Sequence, residues 1–104
     1  MKIAVVGEKS SVDGFKALGL DTFAVSRVSD AVTVWQQVDP DDYAVLFITE
    51  PVYEVLRDEL ESLRGRTVPV ITVIPEVSGS RGLGEEELRL LVERAVGTDV
   101  MFRE

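Results

Sequence analysis

The chain is 104 residues long and 45% hydrophobic, enough for one domain with a buried core, which excludes a disordered chain. It carries 11 basic and 19 acidic residues, and the net charge of -8 makes nucleic acid and anionic membranes poor direct partners. It contains no Cys and no His, which removes disulfides, thiol nucleophiles, thiolate and imidazole metal ligands, and the usual general base.

The N-terminal segment predicts a strand followed by a helix. Lys2 to Gly7 (K-I-A-V-V-G) is a short apolar run that ends at a glycine. It is too short for a signal peptide or a membrane span, so we expect an intracellular, soluble protein. Ser10 and Ser11 are candidate caps for a first helix that should end at Gly19, with apolar positions on one side at Val12, Phe15 and Leu18.

A second strand and a second helix follow. Asp21 to Val25 (D-T-F-A-V) is brief and begins with a charge, as expected of a strand at the edge of a sheet. Ser29 and Asp30 open a helix that Pro40 should end. Its apolar residues repeat at helical spacing, at Ala31, Val34, Trp35 and Val38.

The most apolar segment, Tyr43 to Thr49 (Y-A-V-L-F-I-T), predicts a central strand covered on both faces. Thr49 is placed to cap a third helix, with Pro51 in its first turn and Gly65 after its end. The predicted apolar stripe of this helix consists of Val52, Val55, Leu56, Leu60 and Leu63.

Val68 to Ile74 (V-P-V-I-T-V-I) predicts a fourth strand, and Pro69 near its start favours an edge position. Strands and helices therefore alternate, which predicts an α/β fold. We expect a small Rossmann-like or flavodoxin-like domain, with a four-stranded parallel sheet in the order 2-1-3-4 and flanking helices. Residues 1–76 are assigned to this core domain.

Residues 77–104 are predicted to form a glycine-rich hinge, a C-terminal helix and a tail. Glu76 to Gly84 contains three glycines and two serines, which indicates a mobile connection. The helix should begin at Glu85 and break at Gly97, with one apolar face made of Leu88, Leu91, Val92, Ala95 and Val96.

Two glycine-containing segments invite a phosphate-binding interpretation. Gly7 to Ser11 follows the first strand and opens a helix, but it has one glycine, and a capped turn is the simpler explanation. The glycines of the hinge precede a helix that begins with Glu85, Glu86 and Glu87, whose charges would oppose a phosphate. A flexible hinge accounts for them.

Asp39, Asp41 and Asp42 form the one acidic cluster that invites a metal-binding interpretation. They precede the third strand, whereas sites in parallel α/β sheets lie beyond the carboxyl ends of the strands. The ligand spacing of a calcium loop is also missing, so a solvated loop is the favoured interpretation. We assign no catalytic, cofactor-binding or metal-binding residues.

A degenerate phosphoacceptor receiver, or a small-ligand sensor of similar fold, is the alternative. A receiver has an acidic pair after strand one, an Asp ending strand three and a Lys ending strand four. The corresponding positions here read Gly7-Glu8-Lys9, Thr49-Glu50 and Ile74-Pro75. A lone Glu50 does not supply the groups that hold Mg²⁺ and accept a phosphoryl group.

The C-terminal region leaves apolar residues without a place in the core. Leu90 lies roughly opposite the apolar stripe of its helix and should face outward. Val100, Met101 and Phe102 follow the helix. The tail could fold back on the body, but we expect these residues to bind a partner helix, with Arg94 supplying polar contacts beside Leu90.

The chain resembles the F subunit of the V-type and A-type ATPases, the rotary pumps and synthases for protons or sodium ions. The resemblance runs along the whole chain in the same order, and Arg27 to Asp42 is the least similar part. It is carried by Val6-Gly7 to Lys9, Gly14 to Gly19 (G-F-K-A-L-G), Ile48-Thr49-Glu50, Ile74-Pro75, Gly82 to Leu88 and Val92 to Val100.

The resemblance implies a non-catalytic protein in the cytoplasm, peripheral to the membrane through its complex. In that family, the F subunit binds the coiled coil of the D subunit, and the pair forms the central stalk inside the A3B3 head. The stalk couples to the membrane rotor through the C subunit, and the mobile C-terminal helix of the F subunit modulates ATP hydrolysis. In this sequence that role falls on the helix Glu85 to Val96 and the tail Gly97 to Phe102.

Overall fold

The computed structural model describes residues 2–76 and 85–96. The strands are β1 (Lys2–Glu8), β2 (Asp21–Val25), β3 (Tyr43–Thr49) and β4 (Val70–Ile74). The helices are α1 (Lys9–Lys16), α2 (Ala31–Trp35), α3 (Glu50–Leu60) and α4 (Glu85–Val96), and short 3₁₀ turns cover Val28–Asp30, Pro40–Asp42 and Glu61–Leu63.

The four strands form one parallel sheet in the order β2-β1-β3-β4. The predicted α/β fold and strand order are therefore confirmed, and β2 and β4 are the edge strands. Val45 in β3 is aligned with Ile3 on one side and Val70 on the other, so β1 and β3 occupy the centre. The uninterrupted apolar run of β3 fits this position, because both faces of a central parallel strand are covered.

Helices cover both faces of the sheet, because right-handed crossovers place α1 on one face and α2 and α3 on the other. Alternate residues of the central strands enter the two layers. The first core layer joins α2 and α3 to the sheet and includes Ala4, Val6, Leu46, Ile48, Val52, Leu56 and Leu60. The second joins α1 and α4 to the sheet and includes Ile3, Val5, Val12, Phe15, Val45, Phe47 and Val92.

The predicted start of α1 is wrong. The helix begins directly after β1 with Glu8 in the N-cap position and no side-chain cap, and Ser11 is buried inside the helix. Thr49 does occupy the N-cap position of α3, but it makes no capping hydrogen bond there. A buried hydroxyl at a strand end has other possible partners, and sequence spacing alone does not distinguish them.

The predicted second helix is too long. It ends at Trp35, and Pro40 begins the next 3₁₀ turn instead of ending the helix directly. Three of the five residues of α2 are β-branched, a composition that disfavours a longer helix. The fourth strand begins at Val70, two residues later than predicted, and Val55 on α3 is exposed although the apolar stripe included it.

Candidate partner-binding site

The C-terminal helix α4 has the predicted bounds and is attached to the domain through Val92. This side chain has no exposed surface and belongs to the core layer that contains Phe15, Phe47 and Ile74. Phe15 of α1 stacks near Phe47 of β3, with ring centroids 6.3 Å apart. Val92 therefore fixes which side of α4 faces the sheet.

Leu90 lies on the opposite side of α4 and is 46% exposed. Two residues correspond to about 200° of rotation around an α-helix, so a helix that buries Val92 turns Leu90 toward solvent. The predicted outward position of Leu90 is confirmed. Its role in binding a partner is not tested by this geometry and stays a prediction.

Charged side chains surround Leu90. Arg94 lies one turn further along the helix and is exposed. The guanidinium of Arg89 forms two ion pairs along α4, with Nη1 3.8 Å from Glu86 Oε1 and Nε 3.4 Å from Glu93 Oε2. Among the α4 side chains that the structure describes, Leu90 is thus an exposed apolar group with charged neighbours, as in the centre and rim of a small protein interface.

Val100, Met101 and Phe102, the other predicted contact residues, lie outside the described residues. The structure brings Leu90 and Arg94 together on one helix face. The predicted hinge at 77–84 also lies outside the part of the chain that the structure describes.

The carboxyl edge of the sheet, where ligands of parallel α/β folds bind, contains a contact that sequence reasoning missed. Thr49 Oγ1, at the end of β3, donates a hydrogen bond of 2.7 Å to Glu8 Oε1 at the end of β1. Gly7 allows this approach, because a Cβ atom there would lie 2.8 Å from Thr49 Oγ1. The side chains of Glu8 and Thr49, at the ends of the two central strands, are thus hydrogen-bonded to each other.

The acidic cluster before β3 has structural roles. Asp39 accepts a hydrogen bond of 3.1 Å from the backbone N–H of Asp41, which stabilises the turn, and Asp41 pairs with Arg66. Within residues 2–76 and 85–96, no three carboxylates form a group that could hold a metal ion.

The hydroxyl of Tyr43 connects strand ends near this cluster. It donates a hydrogen bond of 2.8 Å to Asp21, and its ring packs edge-on against Phe23. Burial and this hydrogen bond, with the nearby charges of Asp21, Asp42 and Asp39, raise the pKa of Tyr43 to about 12. These contacts join the start of β3 to the edge strand β2.

Comparison with known proteins identifies the family. The family model described as "ATP synthase (F/14-kDa) subunit" matches residues 3–92, which include all of the sheet except Lys2 and extend past Leu90. The chain belongs to this family of ATP synthase F subunits.

Similar members of the F subunit family come from bacteria and archaea. The chain is 36% identical over 100 residues to the V-type ATP synthase F subunit of Clostridium botulinum (strain Eklund 17B / Type B), covering 96% of this chain and 97% of that one. It is 35% identical to the corresponding protein of Clostridium perfringens, with 96% and 95% covered. The A-type ATP synthase F subunit of Methanosphaera stadtmanae is 28% identical over 101 residues, with 95% of each chain covered.

As an F subunit family member, the chain resembles these relatives over nearly its whole length. The predicted family is therefore confirmed. None of the helices in the described part of the chain is long and apolar enough to cross a membrane.

Proposed function

We propose that this protein is a non-catalytic central-stalk component of a V/A-type rotary ATPase. It binds the coiled coil of the D subunit, transmits torque and modulates ATP hydrolysis or synthesis coupled to proton or sodium transport. The C subunit and the A3B3 head are its further neighbours in the complex. Its location is cytoplasmic, peripheral to the membrane through that complex.

The observation that carries the proposal is the family match across the sheet and into α4. Two features of the described residues support it. Both core layers are filled by side chains from the sheet and its helices. The residues at the carboxyl edge, Glu8 and Thr49, are hydrogen-bonded to each other. A body of this kind is suited to be a rigid attachment for a binding helix.

Helix α4 is the proposed contact with the D subunit. Val92 anchors the helix to the sheet, and Leu90 offers 46% of its surface on the opposite side. A helix of a coiled coil that packs against this side would bury Leu90, while Arg94 would contribute polar contacts at the rim. We propose that Val100, Met101 and Phe102 extend the same contact beyond the helix.

Titration of the D subunit from the same organism with point variants tests this assignment. Leu90→Ser should weaken binding about tenfold, as expected of a central apolar contact residue. Val55→Ser is the matched control, because Val55 is also an exposed apolar residue but lies on α3. It should change the affinity less than about twofold. Equal effects of the two substitutions, or none from Leu90→Ser, would refute α4 as the contact.

A reconstituted ATPase tests the regulatory part of the proposal separately. We expect a complex that lacks this protein to hydrolyse ATP with altered coupling to ion transport, and addition of the full chain to restore the coupling. The Arg94→Ala variant should bind the D subunit with reduced affinity but restore coupling at saturating concentration, because rim contacts contribute modestly. If coupling does not depend on the protein, the proposed modulation is wrong.

A further inference from the structure

The outer edge of β4 is open and apolar. Its backbone pairs with β3 on one side, and no described strand pairs with it on the other. From Thr67 to Pro75 the sequence has no charged residue. Val68, Val70 and Val73 are 42%, 49% and 40% exposed, and they are three of the five large hydrophobic residues exposed in the described part of the chain.

The opposite edge of the sheet is different. Strand β2 begins with Asp21. Its Oδ2 lies 4.0 Å from Lys2 Nζ and accepts the hydrogen bond from the Tyr43 hydroxyl. None of the large exposed hydrophobic residues in residues 2–76 and 85–96 belongs to β2. Proteins commonly protect edge strands by charged residues, because unpaired backbone groups attract another strand. Within the described residues β2 has this protection and β4 lacks it.

Both faces of the β4 edge can bury side chains of an added strand. The register aligns Ile71 and Val73 with Leu46 and Ile48, which places them on the face covered by α3. Val70 points to the other face. A shallow groove of about 170 Å³ lies beside Ile71 and is lined by Tyr53 and Leu63 among others. An extended segment is therefore the shape that fits this edge.

Charges of opposite sign lie at the two ends of β4. Arg64 and Arg66 precede the strand, and Glu76 follows it. Both arginines already have partners, Glu61 at 3.5 Å and Asp41, but these ion pairs are largely exposed. Exposed ion pairs contribute little, so either arginine can exchange its partner at low cost. Glu76 has no cationic partner among the described residues.

We propose that the β4 edge binds a second copy of this chain through antiparallel pairing of the two β4 strands. Two-fold symmetry brings the basic start of each strand to the acidic end of the other. With Glu76 of one copy opposite Arg66 of the other, the symmetry axis passes near Ile71. The two sheets then form one eight-stranded sheet that covers Val68, Val70 and Val73. This inference is independent of the proposed stalk function.

The dimer should be weak. The shared edge is five residues long, and each copy has a net charge of -8. Repulsion between distant charges is screened beyond about 8 Å at physiological ionic strength, so the local pairs at the strand ends decide the orientation. A small interface of this kind is populated reversibly at high protein concentration.

Sedimentation equilibrium of the full chain, from about 10 μM to about 1 mM, measures the association in the range expected for a small interface. Val70→Lys should raise the dimer dissociation constant about tenfold, because both copies place a lysine in the apolar contact. Ala24→Lys adds the same charge to an exposed position on the β2 edge and serves as the control. It should change the dimer dissociation constant by less than about twofold. Hydrogen exchange at high concentration should slow at residues 70–74 and stay unchanged at residues 21–25.

A charge exchange tests the antiparallel orientation. Glu76→Arg should weaken the dimer, because it places like charges at both ends of the interface, and adding Arg66→Glu in the same chain should restore part of the affinity. A chain that remains monomeric up to about 1 mM would overturn the proposal, since it then lacks even weak association. A dimer that Val70→Lys leaves intact, or a charge exchange without rescue, would overturn it as well.

Discussion

Thr49 Oγ1 and Glu8 Oε1 are joined by a hydrogen bond of 2.7 Å across the ends of the two central strands. Thr49 is fully buried and Glu8 is partly buried, so the hydroxyl has few other partners. The bond connects the turn that leads into α1 with the turn that leads into α3. It lies at the edge of the sheet where ligands of related α/β folds bind.

Removal of this hydrogen bond should destabilise the domain. Thr49→Val keeps the shape of the side chain but leaves the Glu8 carboxylate without its donor, which should lower the free energy of unfolding by about 1 kcal/mol. Thr49→Ser retains the hydroxyl and its hydrogen bond to Glu8, so the loss of this interaction should not lower its free energy of unfolding. Urea unfolding of both variants, with Glu8→Ala and the double variant Glu8→Ala/Thr49→Val, completes a double-mutant cycle. A coupling energy of zero would contradict the interaction.

The close approach of Gly7 to Thr49 leads to a second prediction. In Gly7→Ala the new methyl group would contact the buried Thr49 side chain, so the substitution should cost about 1–3 kcal/mol of stability. Thr49→Ala creates space at the same point. The double variant should therefore be more stable than the sum of the two single effects predicts. Additive effects in urea unfolding would show that the two positions do not compete for space.

Tyr43 should make the stability depend on pH under alkaline conditions. Burial and the hydrogen bond to Asp21 raise the pKa of Tyr43 from 10.0 to about 12 in the folded protein. The folded state therefore retains a proton that the unfolded chain has lost. The contribution of Tyr43 to the free energy of unfolding is complete below pH 10. It is lost as the pH rises toward 12, by an amount on the order of 2 kcal/mol.

Thermal unfolding between pH 9 and pH 12 measures this dependence. Lysines also titrate in this range, so the Tyr43→Phe variant supplies the comparison, and it should lose less stability than the parent over the same interval. Tyr53→Phe removes a hydroxyl on α3, outside the cluster around Asp21, and serves as the control. An alkaline slope that Tyr43→Phe leaves unchanged would show that other groups cause it.

Local patterns in the sequence predict much of the fold. The bounds of β2, β3 and α4 follow from short apolar runs and helical spacing, and the strand order follows from the apolar content of the central strands. The exposure of Leu90 follows from its angle on the helix. Each of these features depends on residues close together in the chain.

Other features depend on contacts between distant segments. Thr49 and Glu8 are 41 residues apart, and nothing near Thr49 indicates that its hydroxyl would bond there instead of capping α3. The same holds for the ion pair of Arg66 with Asp41. The sequence shows that β4 contains no charged residue. The exposure of its valines could not be predicted, because it depends on the register of β4 in the sheet and on the position of α3.

Leu90 and Val92 should separate the stability of α4 from its proposed binding role. Val92 is fully buried, so Val92→Ala removes packed methyl groups and should cost about 2 kcal/mol of the local stability of α4. Leu90→Ala should change the free energy of unfolding by less than about 0.5 kcal/mol, because the side chain is nearly half exposed. Hydrogen exchange at residues 85–96 measures the local effect, and titration with the D subunit measures binding. If Leu90→Ala weakened both equally, Leu90 would be a structural residue of the helix and not a contact reserved for a partner.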